Sequence, residues 1–414
     1  MAAGHVAIVG GGIVGVTAAH ACLDAGHAVT ILDPRGFAGG ASAGNAGWIA
    51  HTDVMPLASP KAWRHVPGWL SDPLGPLAIR PAYLPRLAPW LARFLLASRP
   101  SRIAAGTEAL GRLHALALPA WKRRLSGLGL AHHIRRRGTL HVWSGGAGAA
   151  GTIAAQRRFG VPLEVLDGAG IRNLEPALGP AITGGVHYPT DASVSDPRVL
   201  TEALGEAALG RGATLDRRAV RGIRPAADGI TVEPDTGDPL TVDFAVAAAG
   251  AWSKPLAAGL GDAIPLDTER GYNVTLPSGR FGLSRPVSFG DQGFVATPLD
   301  TGDRVGGAVE FAGLEAAPNF RRVDAMLARL RPLLPDADLS GGQRWMGFRP
   351  SIPDSLPVIG PSGADGRVLY AFGHGHYGLT EAAVTAEILA ALIAGTTPPL
   401  DIAPYRPGRF RRGG

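Results

Sequence analysis

Four apolar residues, Val6–Val9, begin the regular pattern of the chain. They do not alternate with polar positions, which suits a strand buried on both faces. The alanine-rich segment Ile13–Ala25 reads as a helix, closed by Gly26 where a left-handed cap is common. Val29–Leu32 repeats the buried-strand pattern and ends at Asp33. Regular βα alternation then stops. Arg35–His51 is a loop of small residues, followed by a Pro- and Trp-rich stretch. Residues 101–128 pattern as an amphipathic helix and 138–143, "GTLHVW", as a strand. A helix over 196–215 starts at a Ser195/Asp196 cap. The strand Phe244–Ala248 ends in Ala249-Gly250-Ala251-Trp252, where small residues let a ligand lie against backbone. Between Pro265 and Glu310, short β-like segments alternate with Gly and Pro turns, and a helix spans Arg321–Leu334. Last come a strand, Val368–Ala371, and a glycine turn and helix over 373–395. The end of the chain thus repeats the strand–turn–helix order of its beginning and is expected to rejoin the first sheet.

Gly10, Gly12 and Gly15 stand in G-x-G-x-x-G spacing between the first strand and helix. In a chain with 59 glycines the spacing alone means little. Here it has the βαβ context and the strand-ending acid that the motif requires. Gly10 allows the tight turn, Gly12 lets backbone approach a pyrophosphate, and Gly15 lets helix pack on strand. The helix start at Ile13 and Val14 offers N–H donors and a positive dipole end. Asp33 can accept hydrogen bonds from ribose hydroxyls. A dinucleotide binds here, and the motif by itself leaves NAD and FAD both open.

Composition narrows the field. A chain of 414 residues is long for one core, so two domains are expected. The formal charge of +6 comes with no basic block interleaved with aromatics, which argues against nucleic acid. Cys22 is the only cysteine, so a disulfide framework and a thiolate metal site are excluded, and no metal is expected. No Ser/His/Asp set with a nucleophile motif, H-E-x-x-H or P-loop occurs. The first strand follows the N-terminus within a few residues, and no apolar run reaches membrane-spanning length. The expectation is a cytoplasmic protein, either free or peripheral to the inner face of the cell membrane.

Together these residues resemble the FAD-dependent D-amino acid oxidase superfamily, which includes glycine oxidase, sarcosine oxidase and bacterial D-amino acid dehydrogenases. The resemblance spans essentially the whole chain, and "GPLAIRPAYLPRLAPWLARFL" and "NAGWI" look closest to the dehydrogenase branch. It implies FAD as cofactor, and a Rossmann-like α/β FAD-binding domain with a central parallel sheet. A smaller α+β substrate domain on an antiparallel sheet is interleaved with it. The expected boundaries are 1–50, 145–262 and 348–414 for the first domain, 51–144 and 263–347 for the second. The resemblance places Pro34 and Arg35 beside the AMP half, with Ala41, Ser42, Asn45, Ala46 and Gly47 along the pyrophosphate and flavin. It sets Val220 at adenine and Ala249, Gly250 and Trp252 against the cofactor. The C-terminal turn, Gly373, Tyr377, Gly378, Leu379 and Thr380, faces the flavin pyrimidine edge. A helix N-terminus there would stabilise the negative charge that two-electron reduction brings.

Arg349, in "GFRP", corresponds to the superfamily arginine that grips the substrate carboxylate by a planar, two-pronged contact. Tyr272, in "RGYNV", and His376 fall where family members place catalytic-pocket residues, although a sheet role for Tyr272 and a structural role for His376 stay open. His376 stands where glycine oxidase has a second arginine, which leaves substrate size and amine substituent open. The reaction implied is hydride transfer from Cα of a D-amino acid to flavin N5, giving an imino acid that hydrolyses to a 2-oxo acid and ammonia. Secondary amines (proline, hydroxyproline, sarcosine), 2-hydroxy acids, and a non-catalytic dinucleotide sensor are the alternatives. The branch also implies a quinone or dye as electron acceptor. Residues 87–98, "LAPWLARFLLAS", beside Arg80, Arg86, Arg99 and Arg102, suit an interfacial helix, and the tail "RPGRFRRGG" adds basic charge. The alternative is a helix packed on the protein and a solvated tail.

Overall fold

A computed structural model describes residues 4–58, 67–68, 71–145 and 150–411. The chain begins with β1 (His5–Val9), α1 (Ile13–Asp24) and β2 (Ala28–Leu32). Among the described residues β1 and β2 belong to a six-stranded sheet ordered 214–216, β2, β1, 244–247, 368–372, 358–361. Its pairs are parallel except the last, where Val358–Pro361 runs antiparallel at the edge. The strand near the C-terminus therefore does rejoin the first sheet. The unbroken apolar run of β1 has a direct cause. Val6 and Ile8 pack with Ala18, Ala19 and Cys22 of α1, while Ala7 and Val9 face Ile223, Ile230 and Val232 across the sheet. Both faces are covered over Val6–Val9, so these four positions are apolar, and each fully buried Val or Ile contributes about 1.5–3 kcal/mol.

Between these βα units lie α2 (Leu84–Ala97) and α3 (Pro100–Gly127), then the long strands β3 (Asp267–Leu276), β4 (Gly302–Phe311) and β5 (Gln343–Ser351). Among the described residues β3 is flanked by β5 and β4 in a nine-stranded, largely antiparallel sheet. The final helix, α4 (Gly378–Ala394), follows the last parallel strand.

Several elements depart from expectation. Glu164–Asp167 and Gly184–Tyr188, placed by sequence with the first domain, pair with each other, and Gly184–Tyr188 pairs with Thr139–Trp143 in the second sheet. α3 was assigned to the second domain, yet its Leu110, Leu113 and Trp121 pack with Leu379, Val384 and Ile388 of α4. In both cases the partner that buries the apolar face lies far along the chain. The helix at 196–215 ends at Gly210, because Gly212 turns left-handed at φ +93°. The helix from Arg321 ends at Leu330 rather than Leu334.

α2 turns Leu87, Trp90 and Phe94 inward onto Ala58, Ile79 and Phe311. The apolar stripe that suggested an interfacial helix is thus covered by the protein itself, leaving Leu96 exposed among Arg86, Arg93, Arg99 and Arg102. No helix among the described residues is long and apolar enough to cross a membrane. Two of the tail's arginines pair with the body of the protein. Arg409 Nε donates to Asp354 at 2.9 Å and Arg411 Nη2 to Asp262 at 3.0 Å, while Arg412 lies outside the described residues.

Candidate active site

The glycine turn sets one end of the site. Gly10 has φ +124°, and a Cβ there would lie 2.4 Å from the carbonyl oxygen of Ala248. A Cβ on Gly15 would lie 1.9 Å from the carbonyl oxygen of Gly10, so only glycine lets α1 approach the strand end. Asp33 holds the adjoining turn, accepting from Gly11 N and Arg35 N, each at 2.9 Å. α1 starts at Gly12 without a side-chain cap, although Ile13 N donates to Ser42 Oγ at 2.9 Å. α4 also starts without a side-chain cap, at Tyr377.

Both helix starts open on a single cavity of about 870 Å³, in the upper part of the roughly 300–1,000 Å³ range of small-molecule and cofactor sites. Its wall contains Gly10, Gly12, Ile13, Val14, Asp33, Pro34, Arg35, Ala41, Ser42, Asn45 and Ala46 from the first βαβ unit and its loop. Val220, Ala249, Gly250, Trp252, Tyr377, Gly378, Leu379 and Thr380 complete that side. Three glycines expected at the cofactor are not in the wall. Gly15 packs on Gly10; Gly47 and Gly373 both sit at φ +81° and shape turns instead, Gly373 against Ile352. The loop of small residues is clamped from the second sheet. Arg304 Nη1 donates to the carbonyls of Asn45, at 2.6 Å, and Ala43, at 3.2 Å, and Asn273 Nδ2 donates to Gly44 O at 2.9 Å.

A Cβ on Gly12 would meet only Ser42 Oγ at 3.2 Å, so backbone there is open to a ligand. A cavity wall that takes in two helix starts lacking N-cap side chains suits a group that carries phosphates at one end and gains negative charge at the other. These residues fit FAD.

The substrate end is built by strand pairing. Glu269, Gly271 and Asn273 of β3 stand opposite Arg349, Gly347 and Trp345 of β5, and all six line the cavity. Alternation puts them on one face of the sheet. Arg349 leans over Gly271, whose Cβ position lies 2.6 Å from the guanidinium carbon. Its N–H groups meet no protein acceptor among the described residues; burial lowers its pKa and the Glu269 charge opposes that effect. His376 stands beside Arg349. Burial, with the charges of Arg349 and His114, lowers it to about 3, so it is a neutral imidazole.

Tyr272 takes the sheet role left open for it, at the edge of the cavity. It touches the cavity wall, yet its hydroxyl donates to Glu310 Oε2 at 2.6 Å and accepts from Asn319 N at 3.1 Å. As an even-numbered residue of β3 it joins Val274 and Leu276 in the core behind the sheet. Its phenol ties β3 to Glu310 of β4 and to the backbone of Asn319.

Sequence reasoning passed over Glu269, Asp53, His141, Trp345 and Arg304, all in the cavity wall. The signal for Glu269 was weak, since it is one of three charged residues, with Asp267 and Arg270, in "DTERGYNVTL". Asp53 had none, since the side chains that face it, His114, His141, Asp191 and Tyr377, come from 61 or more positions away. It accepts from the Tyr377 hydroxyl at 3.4 Å, and burial raises its pKa. Behind it, fully buried His114 meets the Asp53 carbonyl through Nδ1 and Glu381 Oε1 through Nε2, the latter at 3.0 Å. Burial opposes charge on His114, but the hydrogen bond and charge of Glu381 outweigh it and raise the pKa.

Comparison with known proteins agrees with this geometry. The model of a family described as FAD dependent oxidoreductase (DAO) matches residues 5–392. The chain is 39% identical to a D-amino-acid oxidase of Bradyrhizobium diazoefficiens, over 98% of this chain and 99% of that protein. It is 33% identical to a D-amino acid dehydrogenase of Methylobacterium nodulans, over 95% and 96% of the two chains. Among solved structures, glycine oxidase from Geobacillus kaustophilus superposes with a TM-score of 0.76 at 23% identity, covering 100% of both chains. L-proline dehydrogenase from P. horikoshii gives 0.76 at 22% identity, over 99% of this chain and 98% of that one. At these identities the two structures establish the fold alone.

Proposed function

The chain belongs to the FAD-dependent oxidoreductase family, and from that premise we propose that it oxidises D-amino acids to 2-oxo acids and ammonia. The observation that carries the reading is Arg349, a half-buried guanidinium in the cavity wall with no protein acceptor of its own. A planar pair of donors in a mostly apolar site selects a carboxylate and fixes its orientation. Bound FAD would supply the two-electron acceptor for the Cα–H bond. Residues from Gly10 to Ser42 and the start of α4 would hold it, with the uncapped helix starts facing its charged parts. His376, neutral, leaves the positive charge at Arg349 undiluted by a second cation. The protein's share of catalysis is positioning and electrostatics.

The test is anaerobic reduction of the yellow holoenzyme by a panel of D- and L-amino acids, cyclic amines and 2-hydroxy acids. D-amino acids are expected to bleach it, and Arg349→Lys to keep its flavin while kcat/KM falls about ten- to hundredfold. Bleaching by cyclic amines alone would move the substrate to secondary amines. For the acceptor we favour a quinone or dye, supported by the dehydrogenase names of several relatives. Stoichiometric hydrogen peroxide formed as fast as a quinone analogue is reduced would make oxygen the acceptor instead.

A further inference from the structure

The cavity holds two opposite charges that face it side by side and leave each other unpaired. Glu269 and Arg349 stand directly opposite on β3 and β5. They feel each other's charge without a hydrogen bond between them. The reason is geometric: Arg349 leans along the sheet over Gly271, away from the strand position that Glu269 occupies. Glu269 is 6% exposed and lines the cavity. Ser351 Oγ donates to its Oε1 at 2.6 Å, while Oε2 has no protein donor among the described residues. A buried carboxylate with a bare oxygen is costly unless a ligand completes it.

We propose that Glu269 receives the ammonium group of the substrate and takes its proton, so that Arg349 and Glu269 together read the two charges of an amino-acid zwitterion. The inference rests on the amino-acid reading of the same site. An α-amino acid carries its carboxylate and nitrogen on one carbon, a separation that two neighbouring strand positions can span. The proton balance is simple. One N–H bond of the ammonium breaks, one O–H bond forms on Glu269, and the amine is left neutral with its lone pair free. That lone pair can then form the C=N bond as the Cα–H bond gives up its electrons.

The surroundings suit the carboxyl to accept a proton. Burial raises its pKa, while the Ser351 hydrogen bond and the Arg349 charge pull the other way. On its own strand Asp267 adds negative charge, itself held by the Tyr83 hydroxyl at 3.0 Å and facing Lys254. His376, on the far side of Arg349, is neutral.

The experiment uses holoenzyme with D-alanine and with propionate, which has the same carboxylate and no amine. Propionate binding is read from its perturbation of the flavin spectrum, D-alanine oxidation from anaerobic stopped-flow reduction across pH. In Glu269→Gln the reduction rate at neutral pH is expected to fall by about a hundredfold or more. The deficit should shrink as pH approaches the substrate ammonium's own pKa, while propionate binds as tightly as before or tighter. Glu269→Asp should lie between, with a displaced pH limb, and keeps the proposal testable if the glutamine variant folds poorly. Unchanged rate and pH profile in either variant overturns it. Loss of propionate binding together with D-alanine also overturns it, because Glu269 would then merely support Arg349. If no D-amino acid reduces the wild type, the substrate reading fails separately. Glu269 is then judged by whether D-alanine outcompetes propionate in wild type and not in Glu269→Gln.

Discussion

At the scale of single residues, the site turns on where one guanidinium lies. Gly271 leaves the space Arg349 occupies: an added Cβ would sit 2.6 Å from both Cζ and Nη2. Gly271→Ala is therefore expected to push the side chain aside without disturbing the glycine turn that holds the cofactor. Misplacing an orienting group by about an ångström costs up to about a hundredfold. We expect kcat/KM for D-amino acids to fall about ten- to hundredfold, with flavin content unchanged. Steady-state kinetics on the purified variant check this, and wild-type values would mean that Arg349 relaxes freely. Arg349 was legible in the sequence because its flanks are poor in charge and its segment resembles a known one. Glu269 was not, because an acid in a strand gives no hint of which face it takes. Tyr272 shows the same limit from the other side. Its neighbours in sequence fit a pocket residue, but strand alternation and the bond to Glu310 turn the phenol away.

At the scale of elements, the opening βαβ unit was readable almost residue by residue, since its signals are local: apolar runs, glycine spacing and a strand-ending acid. What holds the loop after it was not readable. Arg304, on β4, donates to two carbonyls of that loop and lies 3.5 Å from Asp196. Burial lowers the Arg304 pKa and Asp196 counters it, so the charge is held by its partners. Arg304→Leu would strand both carbonyls and leave Asp196, 2% exposed, without its cation. Lost hydrogen bonds to a charged group cost about 1.5–3 kcal/mol, and each 1.4 kcal/mol is a factor of about ten in affinity. The FAD dissociation constant should rise about ten- to hundredfold. Titration of apoprotein with FAD, followed by flavin fluorescence, measures it, and an unchanged constant would show that the loop keeps its shape unaided. Sequence could not reveal this clamp because Arg304 and Asn45 are 259 positions apart.

At the scale of the whole molecule, the fold encloses histidines that resist taking up a proton. His20, fully buried on α1, has its tautomer fixed by two partners: Nε2–H donates to Leu204 O at 2.8 Å, and Nδ1 accepts from Arg211 Nη1 at 3.1 Å. Burial is the main cause that lowers its pKa to about 4 from 6.5, and His374 falls to about 3 for the same reason. Between these values and 6.5 the unfolded chain binds protons that the folded chain refuses. Stability is therefore full above about pH 6.5 and declines as pH falls toward 4, by about 1.4 kcal/mol per pH unit for each histidine. The buried carboxyls of Asp53, Glu269 and Glu381 act in the opposite sense. Their pKa values are raised in the fold, so what they contribute is present at low pH and lost as pH rises. The measured curve is a sum, and a difference experiment separates it. His20→Gln keeps one donor and one acceptor but does not titrate. Urea unfolding of wild type and variant holoenzyme between pH 4 and 7 should give stability curves whose slopes differ by about one proton below pH 6.5, wild type gaining on the variant as pH rises. Parallel curves would mean that His20 takes up its proton without unfolding the chain, through an opening at the α1–Leu204 contact.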